Sequence, residues 1–210
     1  MDILLIDDEA NKGWKEILEK IFFKEQIIDV ALNHQEAKEL LEKKGYDLIF
    51  LDLRFGEIDH INLALKNYGG YKVLNELIRK NFSCLNFSTP VMLFTASNKP
   101  WNIFEMFNYG VDEFYIKEHP ESAGDIQFSQ NNTKRLKENI VTLFELGKKR
   151  KEIWCKIDKL LKLIDQTINN KNIKNRINVK LRIGYALLFR KVNTLEKNVL
   201  LFNNEVNSFI

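Results

Sequence analysis

Cysteine is nearly absent: the 210 residues hold two, Cys84 and Cys155, far apart in the chain. That excludes a disulfide framework and a cysteine-built zinc site, and it makes a reducing cytoplasm the expected compartment. Three prolines and nine glycines are too few for a disordered chain or for a turn-rich all-β fold. Histidine is scarce as well, and His34, His60 and His119 show neither metal-ligand nor triad spacing. No stretch approaches about 18 consecutive apolar residues, so a membrane-spanning helix is not expected. Asp2, Asp7, Asp8 and Glu9 interrupt the apolar run near the N-terminus, which therefore does not read as a signal peptide.

What is present suits one or two soluble domains with cores of their own: 45% of residues are hydrophobic and 29% charged. The formal net charge of +3 conceals a division. Residues 1–130 carry 14 Lys and Arg against 22 Asp and Glu, whereas residues 131–210 carry 18 against 7. A shift of that size predicts two units with different tasks, 1–130 and 131–210.

In the first unit, short apolar runs at 3–6, 27–32, 48–51, 91–94 and 114–116 alternate with amphipathic stretches. The runs are nearly continuous and rich in branched or aromatic residues, as strands covered on both faces require. Helical patterns lie between them. One covers 12–24, with Trp14, Ile17, Leu18 and Ile21 on one face. Others cover 34–44, with Gly45 as the stop, 71–80, and 101–109, ending at Gly110. The three tryptophans read as packing residues. Strands alternating with helices predict a five-stranded, parallel, doubly wound α/β sheet.

The functional edge of such a sheet is at the carboxyl ends of its strands. Here the first strand ends in Asp7-Asp8-Glu9, the third in Asp52, the fourth in Thr95-Ala96-Ser97 and the fifth in Lys117. Three carboxylates converging there repel one another, and a divalent cation relieves the conflict. Mg²⁺ takes one or two carboxylates and keeps several waters. Asp52 then has an oxygen free to attack phosphorus, while the Lys117 ammonium and the Thr95 hydroxyl can meet a transferring phosphoryl group.

The second unit has no Pro and only Gly147 and Gly184. Apolar residues recur at 136, 140 and 143, then at 154, 157, 161, 164 and 168. After the polar run 169–172 they resume in strict 4-3 alternation at 181, 185, 188, 192, 195, 199, 202, 206 and 209. That spacing predicts a C-terminal all-α hairpin of long helices with a packing seam. Gly147 reads as a flexible joint between the units.

Residues 1–118 resemble the receiver domain of bacterial two-component response regulators. The resemblance rests on Leu4-Leu5-Ile6-Asp7-Asp8-Glu9, Leu48-Ile49-Phe50-Leu51-Asp52-Leu53-Arg54, Pro90-Val91-Met92-Leu93-Phe94-Thr95-Ala96 and Gly110-Val111-Asp112-Glu113-Phe114-Tyr115-Ile116-Lys117. It implies the flavodoxin-like receiver fold, with Asp52 as phosphoacceptor and Mg²⁺ as cofactor. Asp8 and Asp52 would ligate the ion directly, Asp7 through water, and the Arg54 backbone carbonyl would complete the protein ligands. Thr95 and Phe114 would form the switch, with Lys117 at the phosphoryl group. The donor would be a phosphohistidine on a sensor histidine kinase or phosphotransfer protein. Such a chain is a phosphoacceptor that assists its own transfer, and is not classed as an enzyme. Two positions depart from the family. Glu118 stands where Pro usually follows the lysine. The loop 55–68 is about ten residues longer than usual, reaching its glycines only at Gly69 and Gly70; it is either functional or a tolerated insertion.

Rival readings are weaker. An aspartate-nucleophile phosphatase of the haloacid-dehalogenase type needs a second Asp two residues after the first, and position 54 is Arg. A histidine-phosphotransfer bundle needs a histidine, and 131–210 has none. A receiver-like module that binds partners without phosphorylation stays open. The favoured output is homodimerisation or partner docking through the C-terminal helices. Nucleic acid on the basic helices is the alternative.

Overall fold

The computed structural model describes residues 1–22, 27–56, 64–79, 85–96, 100–117 and 126–190. Five strands form one sheet: β1 (Asp2–Ile6), β2 (Ile27–Ala31), β3 (Leu48–Leu51), β4 (Val91–Thr95) and β5 (Glu113–Ile116). Their order is β2-β1-β3-β4-β5, and every pairing is parallel. β3 and β4 are wholly buried and β1 nearly so, whereas the edge strands β2 and β5 are half-exposed. That is the burial the continuous apolar runs predict.

Alternation along the strands sorts the core into two layers. Leu4, Ile6, Ile49, Leu51, Val91 and Leu93 face one side. There they meet α2 (His34–Lys43), α3 (Gly69–Lys72) with its continuation Val73–Ile78, and α4 (Pro100–Asn108). Ile3, Leu5, Leu48, Phe50, Met92 and Phe94 face the other, against α1 (Trp14–Ile21) and the first part of α5 (Ile126–Thr167). The continuation of α3 is a wide, π-type turn in which the Arg79 N–H reaches back to the Leu74 carbonyl at 2.8 Å. It still brings Val73, Leu74 and Ile78 into the core.

Several local expectations need correction. Trp14, Leu18 and Ile21 pack inward as expected, but Ile17 is 41% exposed at the edge of that face, and α1 starts only at Trp14, after a 3-10 turn at Ala10–Lys12. Trp101 is 65% exposed on α4 and is not a packing residue. Gly45 does not take a left-handed conformation; α2 ends on an extended Lys44 whose N–H bonds the Leu40 carbonyl. Gly147 lies inside α5, at the last residue of the first compact unit. A side chain there would meet the Pro90 ring at 3.1 Å, so its lack of one lets α5 lie close to the chain just before β4. Glu118, Cys84, His60 and His119 lie outside the described residues.

The chain divides into two compact units, Met1–Gly147 and Lys148–Ile210. Leu136, Ile140 and Leu143 belong to the core of the first unit, so the charge shift at 130 falls inside α5 and ahead of the edge of that core. In the second unit, α5 ends at Thr167 and α6 (Lys171–Arg190) follows after a short turn. Asn170 Oδ1 accepts from the Asn172 and Ile173 N–H groups, capping α6. The Lys174 ammonium reaches back to the Asp165 carbonyl. Ile157, Leu161 and Leu181 are buried. The remaining seam positions, from 185 to 209, fall outside the described side chains.

Candidate phosphoacceptor site

Parallel pairing runs one residue past the strands and fixes the backbone of the site. The Asp7 N–H donates to the Ala31 carbonyl at 3.0 Å and the Asp52 N–H to the Ile6 carbonyl at 2.9 Å. The Lys117 N–H donates to the Thr95 carbonyl at 2.8 Å. Asp7 and Asp52 thus follow directly on buried apolar strands, and Lys117 on the half-exposed edge strand β5, each inheriting its strand's register.

The side chains converge. Asp7, Asp8 and Asp52 each offer a carboxylate oxygen, and these oxygens lie within 4.8 Å of one another. Asp7 and Asp52 are buried, while Asp8 faces solvent. Lys117 lies between the buried pair, its Nζ 2.6 Å from Asp7 Oδ2 and 3.3 Å from Asp52 Oδ1. Asp7 Oδ1 accepts the Glu9 N–H at 2.9 Å. The ammonium also sits 5.4 Å from the centre of the Phe94 ring, a cation–π contact that no motif announced. The signal for it was the aromatic residue directly before Thr95.

Burial dominates the electrostatics. It raises the Asp7 carboxyl above its ordinary range, against the opposing pull of Lys117 and the Glu9 N–H. It pushes Asp52 up to about 7, with Lys117 working against burial and the Asp7 charge adding to it. Two buried acids and one exposed acid around a common point, short of positive charge, form a donor set that fits a hard divalent cation with an open side to water.

The other expected residues are nearby but play less defined parts. Thr95 is fully buried at the end of β4. Arg54 has an exposed side chain in the loop after β3, two residues before Gly56 with its left-handed φ of 106°. Phe114 is half-buried, edge-on to Phe107 at 6.1 Å, with the Arg135 guanidinium 5.8 Å from its ring centre. A cavity of about 660 Å³ opens beside Asp8, with Leu32, Phe55, Asn67 and Lys72 in its wall.

Comparisons with known proteins give the family and the fold. The model of the response regulator receiver domain matches residues 3–124. The transcriptional regulatory protein SrrA of Staphylococcus aureus is 33% identical over 118 residues, 55% of this chain and 41% of that protein. The chain therefore spans less than half the length of this curated relative. Among solved structures, a CheY-like receiver domain from Methanospirillum hungatei JF-1 superposes with a TM-score of 0.51 at 17% identity. It covers 70% of this chain and 96% of its own. The receiver domain of a putative Luxo repressor from Vibrio parahaemolyticus gives 0.52 at 18% identity, covering 72% and 95%. With the matched family model spanning more than half of its residues, the chain belongs to the response regulator receiver domain family.

Proposed function

We propose that this chain is the phosphoacceptor of a two-component relay, taking a phosphoryl group from a phosphohistidine of a sensor kinase or phosphotransfer protein onto Asp52. The observation that carries the reading is the convergence of Asp7, Asp8, Asp52 and Lys117 at one sheet edge. An Asp52 carboxylate oxygen attacks phosphorus, and the P–N bond breaks with its electron pair going to the donor imidazole. Lys117 draws the phosphoryl oxygens toward Asp52 and balances the charge that arrives there. Thr95, at the end of the adjoining strand, supplies a hydroxyl to the same group.

Asp7, Asp8, Asp52 and the Arg54 carbonyl would hold Mg²⁺, which would neutralise the phosphoryl oxygens during transfer. Asp7 and Asp8 therefore act as holders of charge and water, with Asp52 alone as nucleophile. Phe114 and Thr95 would carry the change to the surface of α4 and β5. The output is self-association or partner docking by the second unit.

Incubation with acetyl phosphate and Mg²⁺, followed by intact-mass measurement, tests the assignment. One phosphoryl adduct is expected on the wild-type protein and none on Asp52→Ala. Equal labelling of both would overturn it.

A further inference from the structure

The long loop after β3 ends in a feature that neither solvation nor chain entropy explains. Gly70 has no left-handed φ, so it is not glycine for conformational reasons. It is glycine for space. A Cβ there would lie 2.2 Å from the Asp52 carbonyl oxygen, 2.8 Å from Leu53 Cα and 3.0 Å from the Asp52 carbonyl carbon. All three are backbone atoms that no rotamer change can move. The Gly70 N–H also donates to the Leu53 carbonyl at 3.2 Å. The first turn of α3 is thus pressed onto the residues that carry the phosphoacceptor.

The residues just before it are built into the core. Leu65 and Tyr68 are 6% and 1% exposed, in the same cluster as Leu51, Leu53 and Phe55. Leu65–Asn67 forms a 3-10 turn, closed by the Tyr68 N–H on the Leu65 carbonyl at 3.0 Å. The Tyr68 carbonyl then accepts from the Lys72 N–H at 3.1 Å, starting α3. A merely tolerated excursion would return to the fold through exposed polar residues. This one returns through two buried side chains packed in the same cluster as Leu51, Leu53 and Phe55, the strand and loop residues on either side of Asp52.

We propose that Gly70, together with the Leu65–Tyr68 anchor that delivers it, is a positioning device for the Asp52–Arg54 backbone. The proposal rests on the reading of Asp52 as phosphoacceptor and deepens it. The backbone at 52–54 sets both where the Asp52 carboxylate points and where the Arg54 carbonyl lies. A displacement of about 1 Å at such a site can cost about a hundredfold in rate.

The test compares three variants of the full chain with the wild type. Gly70→Ala inserts the forbidden methyl group. Leu65→Ala loosens the anchor. Leu41→Ala removes a buried side chain of the same core cluster from α2, away from Asp52. Mg²⁺ affinity is read from the rise in melting temperature with Mg²⁺ concentration, and labelling from acetyl phosphate by mass. Gly70→Ala should weaken Mg²⁺ binding and slow labelling, each by about tenfold or more, and Leu65→Ala should do so by several-fold. Leu41→Ala should lose melting temperature while keeping Mg²⁺ affinity and labelling within about twofold. If Gly70→Ala does not fold, the contrast between Leu65→Ala and Leu41→Ala decides. Gly70→Ala at wild-type affinity and rate, or Leu41→Ala affecting both as much as Leu65→Ala, overturns the proposal. A wild-type protein that takes no label overturns the phosphoacceptor reading itself, and the positioning role with it.

Discussion

At the scale of single residues, burial sets the behaviour of the site more than hydrogen bonding does. Asp52 titrates near 7 in the folded chain and near its ordinary 3.8 in the unfolded one. Below pH 4 it is protonated in both states and costs nothing. As the pH rises toward 7 and beyond, the unfolded chain ionises freely while the folded chain must hold a buried charge. Metal-free protein should therefore lose stability between about pH 4 and 8 through this residue, by a few kcal/mol at most. Chemical denaturation across that range should show a steeper decline for wild type than for Asp52→Asn. Millimolar Mg²⁺ should flatten the wild-type curve. Identical slopes would mean that Asp52 is not the strained acid. The role of Asp52 could be read from its place after a buried strand, but its strain could not. The strain depends on Asp7, Asp52 and Lys117 sharing a space that three distant segments enclose.

Arg79 shows the same limit of sequence reading from the structural side. It resembles an ordinary helix-end arginine, yet it is 2% exposed. It donates to the carbonyls of Gly110, Asn86, Phe87 and Thr89 and to Asp112 Oδ2, which also accepts the Val91 N–H at 2.9 Å. Nothing local in the sequence marks a cation that closes several loops at once. Arg79→Met should cost about 3–5 kcal/mol, because it strands the buried Asp112 carboxylate and several carbonyls. Thermal or urea denaturation measures this directly, and a loss below about 1 kcal/mol would show that the arginine is dispensable.

At the scale of elements, strands were the most legible feature and glycines the least. Continuous apolar runs fix where a doubly covered strand lies, and the five observed strands fall within a residue of the five runs. Helix limits depend on capping and on what the helix meets, so α1 is shorter than its pattern, and α3 opens into a wide turn that periodicity does not encode. Glycine is ambiguous for a physical reason: the same residue serves conformational freedom, close approach or neither. Gly110 serves the first, with a φ of 100°, and Gly70 and Gly147 the second. Gly45 would leave an added methyl group with nothing within 4 Å, and it serves neither. Substitution separates these cases. Gly45→Ala should be neutral or slightly stabilising, by up to about 1 kcal/mol. Gly147→Leu should lower the melting temperature by several degrees, since a branched side chain must displace the Pro90 ring. Were Gly147 a flexible joint, the same leucine would raise it through better helix propensity.

At the scale of the whole molecule, charge and the apolar seam make opposing demands on self-association. The unit Met1–Gly147 carries 17 Lys and Arg against 24 Asp and Glu, and Lys148–Ile210 carries 15 against 5. Two copies meeting through their second units would bring like charges together, so only apolar burial can drive that contact, and added salt should strengthen it. Leu160, Leu163 and Ile173 are 41%, 55% and 47% exposed in that unit and offer such surface. An acidic unit of one copy against the basic unit of another would instead weaken with salt. Light scattering at about 50 and 500 mM salt, with and without beryllofluoride and Mg²⁺, therefore reads the mode of pairing as well as its extent. Pairing through the helices predicts a dimer favoured by beryllofluoride and held or enhanced at high salt. A dimer that dissociates at high salt would place the contact between unlike units. A chain that stays monomeric in all four conditions would leave the second unit as a docking surface for another protein. In that case its basic character would favour an acidic partner, and the binding should again fall with salt.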